Sequence, residues 1–101
     1  MYKVTVLYHH PEDVEYFEKY FKEHHLPLAQ SMPGVSRIEI TKFHSSGHGG
    51  KPEYYRMSEI FFNTQAEMQE TMGCPEGQAT INDLLVLTST GVKILLGNVE
   101  E

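Results

Sequence analysis

The chain has 101 residues, of which 40% are hydrophobic and 22% charged, and its formal net charge is −6. This length fits one domain, spanning residues 1–101, with a core of modest size. The lysines and arginines form no cluster, so neither nucleic acid nor an anionic membrane is expected as a partner. No run approaches the roughly 18 apolar residues of a membrane span. The N-terminus also lacks the apolar block of a signal peptide, so we expect a cytoplasmic protein.

The histidines and the single cysteine form no recognisable metal or redox motif. His24 and His25 are adjacent, and neighbouring side chains on a helix point about 100° apart, so they do not easily share a metal. Cys74 has no second thiol to pair with, and we expect it to act as a small helix-capping residue. We therefore expect neither a metal nor a cofactor. Haem ligation by His25 stays open as a weaker alternative.

The first two predicted elements are a strand and a helix. Alternation predicts the strand over residues 3–9, and its apolar face carries Tyr2, Val4, Val6 and Tyr8. Asp13 is a suitable N-cap, after which apolar residues recur at helical spacing. Pro27 removes a helical hydrogen bond and restricts the residue before it. The spacing therefore predicts that the regular helix ends near His25 or Leu26.

Two further strands are predicted over residues 35–43 and 54–62, after a turn at Pro33-Gly34. In the strand over residues 54–62, one face carries Tyr55, Met57, Glu59 and Phe61. The connecting segment, residues 45–52, is glycine-rich and is expected to be mobile and exposed. It lacks the spacing of a phosphate-binding loop, so no nucleotide role is assigned to it.

The last third of the chain predicts two helices and a strand. Thr64 and Glu67 form a capping box that starts a helix closed by Gly73. Pro75 opens a shorter helix over residues 76–86. Its apolar residues are Ala79, Ile81, Leu84 and Leu85. Residues 90–99 form the last strand.

The element order βαββα(α)β predicts an α+β, ferredoxin-like fold with a four-stranded antiparallel sheet and helices on one face. The other face has no predicted cover. Leu7, Phe43 and Leu95 are expected on it among polar residues, and such a face is too apolar to remain in water. We therefore expect a homodimer formed through the open sheet face.

Several blocks of the sequence resemble the EthD family. They are Tyr8-His9-His10-Pro11, His25-Leu26-Pro27-Leu28, Met32-Pro33-Gly34-Val35, residues 54–62, Cys74-Pro75-Glu76-Gly77-Gln78-Ala79 and residues 90–97. The resemblance covers nearly the whole chain. It implies a dimeric α+β barrel, a superfamily that includes cofactor-free monooxygenases, polyketide cyclases, muconolactone isomerases and haem-degrading enzymes. Many of these have a small apolar pocket between sheet and helices. The resemblance places the family's histidine at His25 and its third-strand acid at Glu59.

His25 is the first candidate site residue. At helical spacing it lies about 40° from the axis of the apolar stripe set by Phe21, whereas His24 lies about 60° to the other side. A histidine at a helix end can exchange protons near neutral pH. The alternative is a structural histidine bonded to a carbonyl, such as the one that Pro27 leaves free.

Glu59 and Tyr8 are the other two candidates. A carboxylate in the apolar row of Glu59 needs a partner. The partner is either His25, which Glu59 would then orient, or one of Arg37 and Arg56 in a structural ion pair. The hydroxyl of Tyr8 either positions a substrate oxygen or is simply the polar tip of a core residue.

Two functions fit these residues. In the first, the protein is an enzyme that acts without a cofactor on a small apolar or aromatic compound. His25 moves a proton, Glu59 orients or charges the imidazole of His25, and Tyr8 holds a substrate oxygen. The chemistry is then isomerisation, cyclisation or lyase chemistry by proton abstraction next to a carbonyl. In the second, the protein is a non-catalytic binding or accessory protein that carries a hydrophobic intermediate for an oxygenase.

Overall fold

A computed structural model describes residues 1–100, which form one antiparallel sheet and a layer of helices. The elements are β1 (Tyr2–Tyr8), α1 (Val14–Tyr20), a π-helical turn (Phe21–His25), α2 (Leu26–Gln30), β2 (Arg37–Lys42), β3 (Arg56–Phe62), α3 (Gln65–Gly73), α4 (Pro75–Leu87) and β4 (Val92–Asn98). The strand order is β2-β3-β1-β4, and every pair is antiparallel. The predicted ferredoxin-like α+β fold is confirmed. No helix within residues 1–100 is both long enough and apolar enough to cross a membrane.

The central strand β1 sets the two faces of the sheet. Its alternate residues Tyr2, Val4, Val6 and Tyr8 are all buried and belong to the main hydrophobic core. They lie opposite the side chains of β3 that share their face, from Phe62 to Arg56. Since alternate residues of a strand point to opposite faces, the residues between them form the open face. The predicted apolar face of the first strand is therefore the face that meets the helices.

The predicted helix end near His25 or Leu26 is wrong, because helical backbone continues to Gln30. The chain passes Pro27 by means of the π-helical turn, in which the Leu26 N–H bonds to the Phe21 carbonyl five residues back. Pro27 then falls in the first turn of α2, where a missing N–H costs little. The wider turn also relieves the clash between the proline ring and the preceding turn.

The two C-terminal helices begin where the sequence predicts. The side chain of Thr64 accepts from the Glu67 N–H at 3.1 Å, as the capping box requires. In α4, however, Leu85 is 85% exposed, so not every apolar residue of this helix packs in the core. The buried residues of this helix are instead Gly77, Thr80, Leu84 and Leu87. The small and hydroxylated residues take part because α3, α2 and the π-helical turn all pack closely on α4.

The segment between β2 and β3 is exposed over most of residues 44–53, as predicted. Cys74 precedes α4, but its side chain does not cap that helix. The thiol lies 3.3 Å from the Glu76 carboxylate instead. The expected capping role of Cys74 is therefore limited to its backbone, whose carbonyl accepts from the Gln78 N–H at 2.9 Å.

Candidate functional site

A cavity of about 220 Å³ lies between the helix-facing side of the sheet and the helices. All four strands, the π-helical turn and α2, α3 and α4 contribute to its walls. The lining is almost entirely apolar, and its polar members are Tyr8, His25, Ser58 and Thr80. Ile94 and Leu96 of β4 also line it, yet they are 45% and 55% exposed. The cavity therefore opens to solvent beside the edge strand β4.

His25 is buried in the wall of this cavity, with 4% of its surface exposed. Its Nδ1 lies 3.0 Å from Oδ2 of Asp83 in α4. Burial holds the pKa of His25 below its usual 6.5, although the Asp83 carboxylate opposes the shift. The imidazole is therefore neutral at pH 7, and its Nδ1–H donates to the carboxylate. Nε2 has no hydrogen-bond partner among residues 1–100, and the ring that carries it lines the cavity, so this nitrogen is free to act as an acceptor.

Asp83 is held from a second side by Tyr20. The Tyr20 hydroxyl donates to Asp83 Oδ1 at 2.6 Å, which raises the pKa of Tyr20 to about 12. Neither Asp83 nor Tyr20 was predicted as a site residue from the sequence. Asp83 could have been found from its spacing in α4. It comes three residues after Thr80 and four before Leu87, both buried, so it lies on the same side of the helix as they do. A carboxylate at such a position needs a partner, and here that partner lies 58 residues away.

Tyr8 is placed in the cavity wall, as predicted, and only 1% of its surface is exposed. Its hydroxyl lies 3.1 Å from Ser58 Oγ. Burial raises the pKa of Tyr8 to about 12, so the phenol keeps its proton at neutral pH. The rings of Tyr8 and His25 each lie 5.8 Å from the ring of Phe21, between their centroids. The fold thus brings these two predicted residues to the same cavity.

Glu59 does not line this cavity, and its pairing with His25, one of the two alternatives left open by the sequence, is wrong. It lies opposite Thr5 in β1, on the open face of the sheet, whereas His25 packs on the helix side. Its carboxylate accepts from Lys3 Nζ at 2.6 Å.

The two arginines proposed as structural partners of Glu59 bind other carboxylates. Arg37 pairs with Glu39 at 2.7 Å, and Arg56 pairs with Glu18 at 2.6 Å. Glu18 also accepts from the Tyr55 hydroxyl and from Lys42 at 3.1 Å, so this cluster joins α1 to β2 and β3. Arg56 lies opposite Tyr8 on the helix-facing side of β3, so it is turned away from Glu59. Arg37 shares the open face with Glu59 but binds Glu39, two residues along its own strand.

Among residues 1–100, no three histidine, cysteine, aspartate or glutamate side chains lie close enough to hold a metal ion. His25 is the one histidine that lines the cavity, and Asp83 occupies one of its two ring nitrogens, Nδ1. The arrangement is that of a base oriented by a carboxylate, which suits proton transfer.

Two relatives match this chain over nearly its full length. An uncharacterized 11.0 kDa protein from the thcB-thcC intergenic region of Rhodococcus erythropolis is 34% identical over 100 residues, which cover 99% of this chain and 96% of that protein. The crystal structure of an ethyl tert-butyl ether d (EthD) family protein from Bacillus halodurans superposes with a TM-score of 0.93. It is 26% identical, and the match covers 99% of each chain.

A more distant neighbour shares only the fold. A dimeric protein of unknown function with a ferredoxin-like fold, from Bacteroides fragilis, superposes with a TM-score of 0.67 at 18% identity, covering 97% of this chain and 95% of that one. The family model itself, that of the EthD domain, matches residues 9–83, which carry both His25 and Asp83. This protein belongs to the EthD family.

Proposed function

We propose that the protein binds a small apolar or aromatic carbonyl compound in the cavity, and that His25 removes a proton from the carbon next to the carbonyl. One observation carries this proposal: a buried, neutral imidazole in the wall of an apolar cavity donates one nitrogen to Asp83, and its other nitrogen has no partner among residues 1–100. A base of this kind works best when its pKa lies near or below the working pH. Neither a metal nor an organic cofactor is required for this step.

The cavity supports a particular class of substrate. An apolar cavity of about 150 Å³ accommodates benzene, so about 220 Å³ suits a single ring with a few substituents. No lysine, arginine, aspartate or glutamate lines the cavity, and an ionic group on the ligand would be buried without a counter-charge. A neutral compound with one carbonyl or hydroxyl oxygen is therefore the best match.

The proposed step uses three side chains. The substrate carbonyl accepts a hydrogen bond from the protonated Tyr8 hydroxyl, which Ser58 holds in place. His25 Nε2 takes the proton, and the electron pair of the broken C–H bond moves into an enolate whose oxygen Tyr8 stabilises. Asp83 stabilises the imidazolium that forms. Return of the proton to another atom of the substrate gives isomerisation. Attack of the enolate carbon on a second carbonyl carbon of the same molecule gives cyclisation.

Deuterium incorporation tests this proposal without knowledge of the product. A panel of one-ring ketones and phenolic ketones is incubated with the protein in D₂O, and exchange of the α-hydrogens is followed by NMR. Because the base must be deprotonated and burial lowers the pKa of His25 from 6.5, the rate should rise with pH through a midpoint below 6.5 and then level off. Tyr8, with a pKa of about 12, stays protonated, so the plateau should continue into the alkaline range.

The second candidate is a binding or accessory protein that carries such a compound without changing it. The almost entirely apolar lining of the cavity favours it, because burial of apolar surface is enough to hold a ligand. Under this alternative, compounds that raise the melting temperature are recovered without deuterium and without conversion at every pH.

We also propose that two copies associate through the open face of the sheet. Leu7 and Leu95 lie on that face, as the sequence analysis expected, and Leu95 is 50% exposed. The Bacteroides fragilis neighbour with the same fold is dimeric, which supports this assembly. Leu95 lies on the edge strand β4, and apolar side chains exposed on the face of a sheet are typical of an interface.

Leu95→Glu is expected to weaken this dimer at least about tenfold, because it places a carboxylate from each copy in a dehydrated contact. Sedimentation velocity over a range of protein concentrations measures the effect. Leu85→Glu is the matched control, since Leu85 is even more exposed but lies on α4 in the helix layer. Equal weakening by both changes, or a wild-type protein that stays monomeric at micromolar concentration, would contradict the open-face dimer.

A further inference from the structure

Tyr20 and His25 bind the two oxygens of the same carboxylate, although they are five residues apart on one helix. Tyr20 donates to Asp83 Oδ1 at 2.6 Å, and His25 Nδ1 lies 3.0 Å from Oδ2. In a regular α-helix, side chains five residues apart point about 140° away from each other. The π-helical turn Phe21–His25 lies between them and adds the extra residue to one turn. Both side chains therefore reach α4 from the same side of the helix.

The wide turn also decides which of the two adjacent histidines meets Asp83. In a regular helix the residue one turn after Tyr20 is His24. His24 indeed stacks on the Tyr20 ring, at 4.9 Å between centroids, but it is exposed, and the hydrogen bond to Asp83 comes from His25. His25 keeps its contact with Phe21 in the cavity wall while it reaches the carboxylate. The side chain of His25 therefore needs the π-helical turn to contact both the cavity and α4.

We propose that Tyr20 is a positioning residue for His25. Its hydroxyl holds Asp83 so that Oδ2 faces His25 Nδ1, and this fixes the imidazole in the tautomer that presents an unprotonated Nε2 to the cavity. This assignment deepens the proposed function and rests on it, because the tautomer matters for catalysis only if Nε2 is the base. The hydrogen-bonded set Tyr20–Asp83–His25 itself is a property of the folded chain and is testable without a substrate.

The experiment measures the tautomer of His25. A purely structural role of Tyr20 would leave that tautomer unchanged. Long-range ¹H–¹⁵N NMR at pH 8, where the imidazole is neutral, distinguishes the two tautomers. The wild-type protein should show one species, with the proton on Nδ1. In Tyr20→Phe the carboxylate is free to rotate, and a second species with the proton on Nε2 should appear. Deuterium incorporation into a substrate found with the ketone panel should fall about tenfold or more, as for other residues that orient a catalytic group.

Tyr16→Phe is the matched control. Tyr16 lies on the same helix, and its hydroxyl also bridges to α4, donating to the Val86 carbonyl at 2.8 Å. Its loss removes a hydrogen bond between the same two helices without touching Asp83, so His25 should keep a single tautomer. Asp83→Ala is the positive control, in which both tautomers should be populated.

The outcomes separate this assignment from the proposed function. A Tyr20→Phe protein that keeps the wild-type tautomer, while Asp83→Ala changes it, would overturn the positioning role and leave His25 as a candidate base. A loss of the single tautomer in Tyr16→Phe equal to that in Tyr20→Phe would overturn it too, because the effect would then be one of helix packing. A tautomer change in Tyr20→Phe alone, in a wild-type protein that exchanges no substrate proton, would support the positioning of His25 and overturn the proposed catalysis.

Discussion

His25→Gln is expected to slow α-proton exchange by about 10²–10⁴-fold, the usual contribution of a general base. Glutamine is similar in size to histidine and can donate to Asp83 from its amide, so the fold and the cavity should be kept. It has no group that takes up a proton at neutral pH. Exchange is measured by NMR with any ketone that the wild-type protein deuterates, and ligand binding is measured in parallel by the shift in melting temperature.

His24→Gln is the control for this change, because His24 precedes His25 on the same turn but is exposed. It should exchange protons at the wild-type rate. Retention of full exchange in His25→Gln would remove His25 from the mechanism. Loss of ligand binding together with exchange would show that His25 shapes the cavity rather than acting as its base.

Gly77→Ala is expected to cause a large loss of stability, although it adds only one carbon to α4. A β-carbon at this position would lie 2.1 Å from the Thr71 carbonyl oxygen and 2.8 Å from Met72 Cα. These neighbours are backbone atoms of α3, so relief requires the two helices to move apart. Overpacking of this kind costs about 3 kcal/mol. For a domain of this size that corresponds to a fall in melting temperature of roughly 10–20 °C.

Gly73→Ala provides the comparison, because the same extra carbon at Gly73 would have no atom within 4 Å. It lies in the last turn of α3 and should leave the melting temperature unchanged or raise it, since alanine favours a helix over glycine by about 1 kcal/mol. Calorimetry of both variants measures the difference. A Gly77→Ala protein as stable as the wild type would contradict the close packing of α3 on α4. The contact also gives a physical reason for the glycine in the Pro75-Glu76-Gly77 block.

Local signals predicted most of the secondary structure, because they act within a few residues. Asp13 and Thr64 cap their helices through hydrogen bonds to backbone three residues ahead, and these caps are visible in the sequence as they are in the structure. The alternation of Tyr2 to Tyr8 likewise predicted the buried face of β1. The π-helical turn was not predicted, because Pro27 is compatible both with a helix end and with a wider turn. Packing of the helix against α4 favours the second.

The candidate site was predicted only in part. His25 and Tyr8 lie in one cavity, whereas Glu59 lies on the other face of the sheet. The sequence correctly grouped Glu59 with Met57 and Phe61, but β3 carries apolar residues on both faces, such as Phe61 and Phe62. Alternation within one strand cannot tell which of two apolar faces meets the helices. That choice depends on the pairing of β3 with β1.

By itself, the sequence of this protein determined the fold class, the order of the elements, the helix caps at Asp13 and Thr64, and His25 as a candidate site residue. Only the tertiary structure decided which groups surround that histidine. Asp83 reaches His25 from another helix, Tyr20 reaches Asp83 across the π-helical turn, and Glu59 is directed away from both. The physical reason is the separation along the chain of the residues that interact. Periodicity and capping are properties of neighbouring residues, whereas the partner of a buried group is set by the packing of elements far apart in the chain.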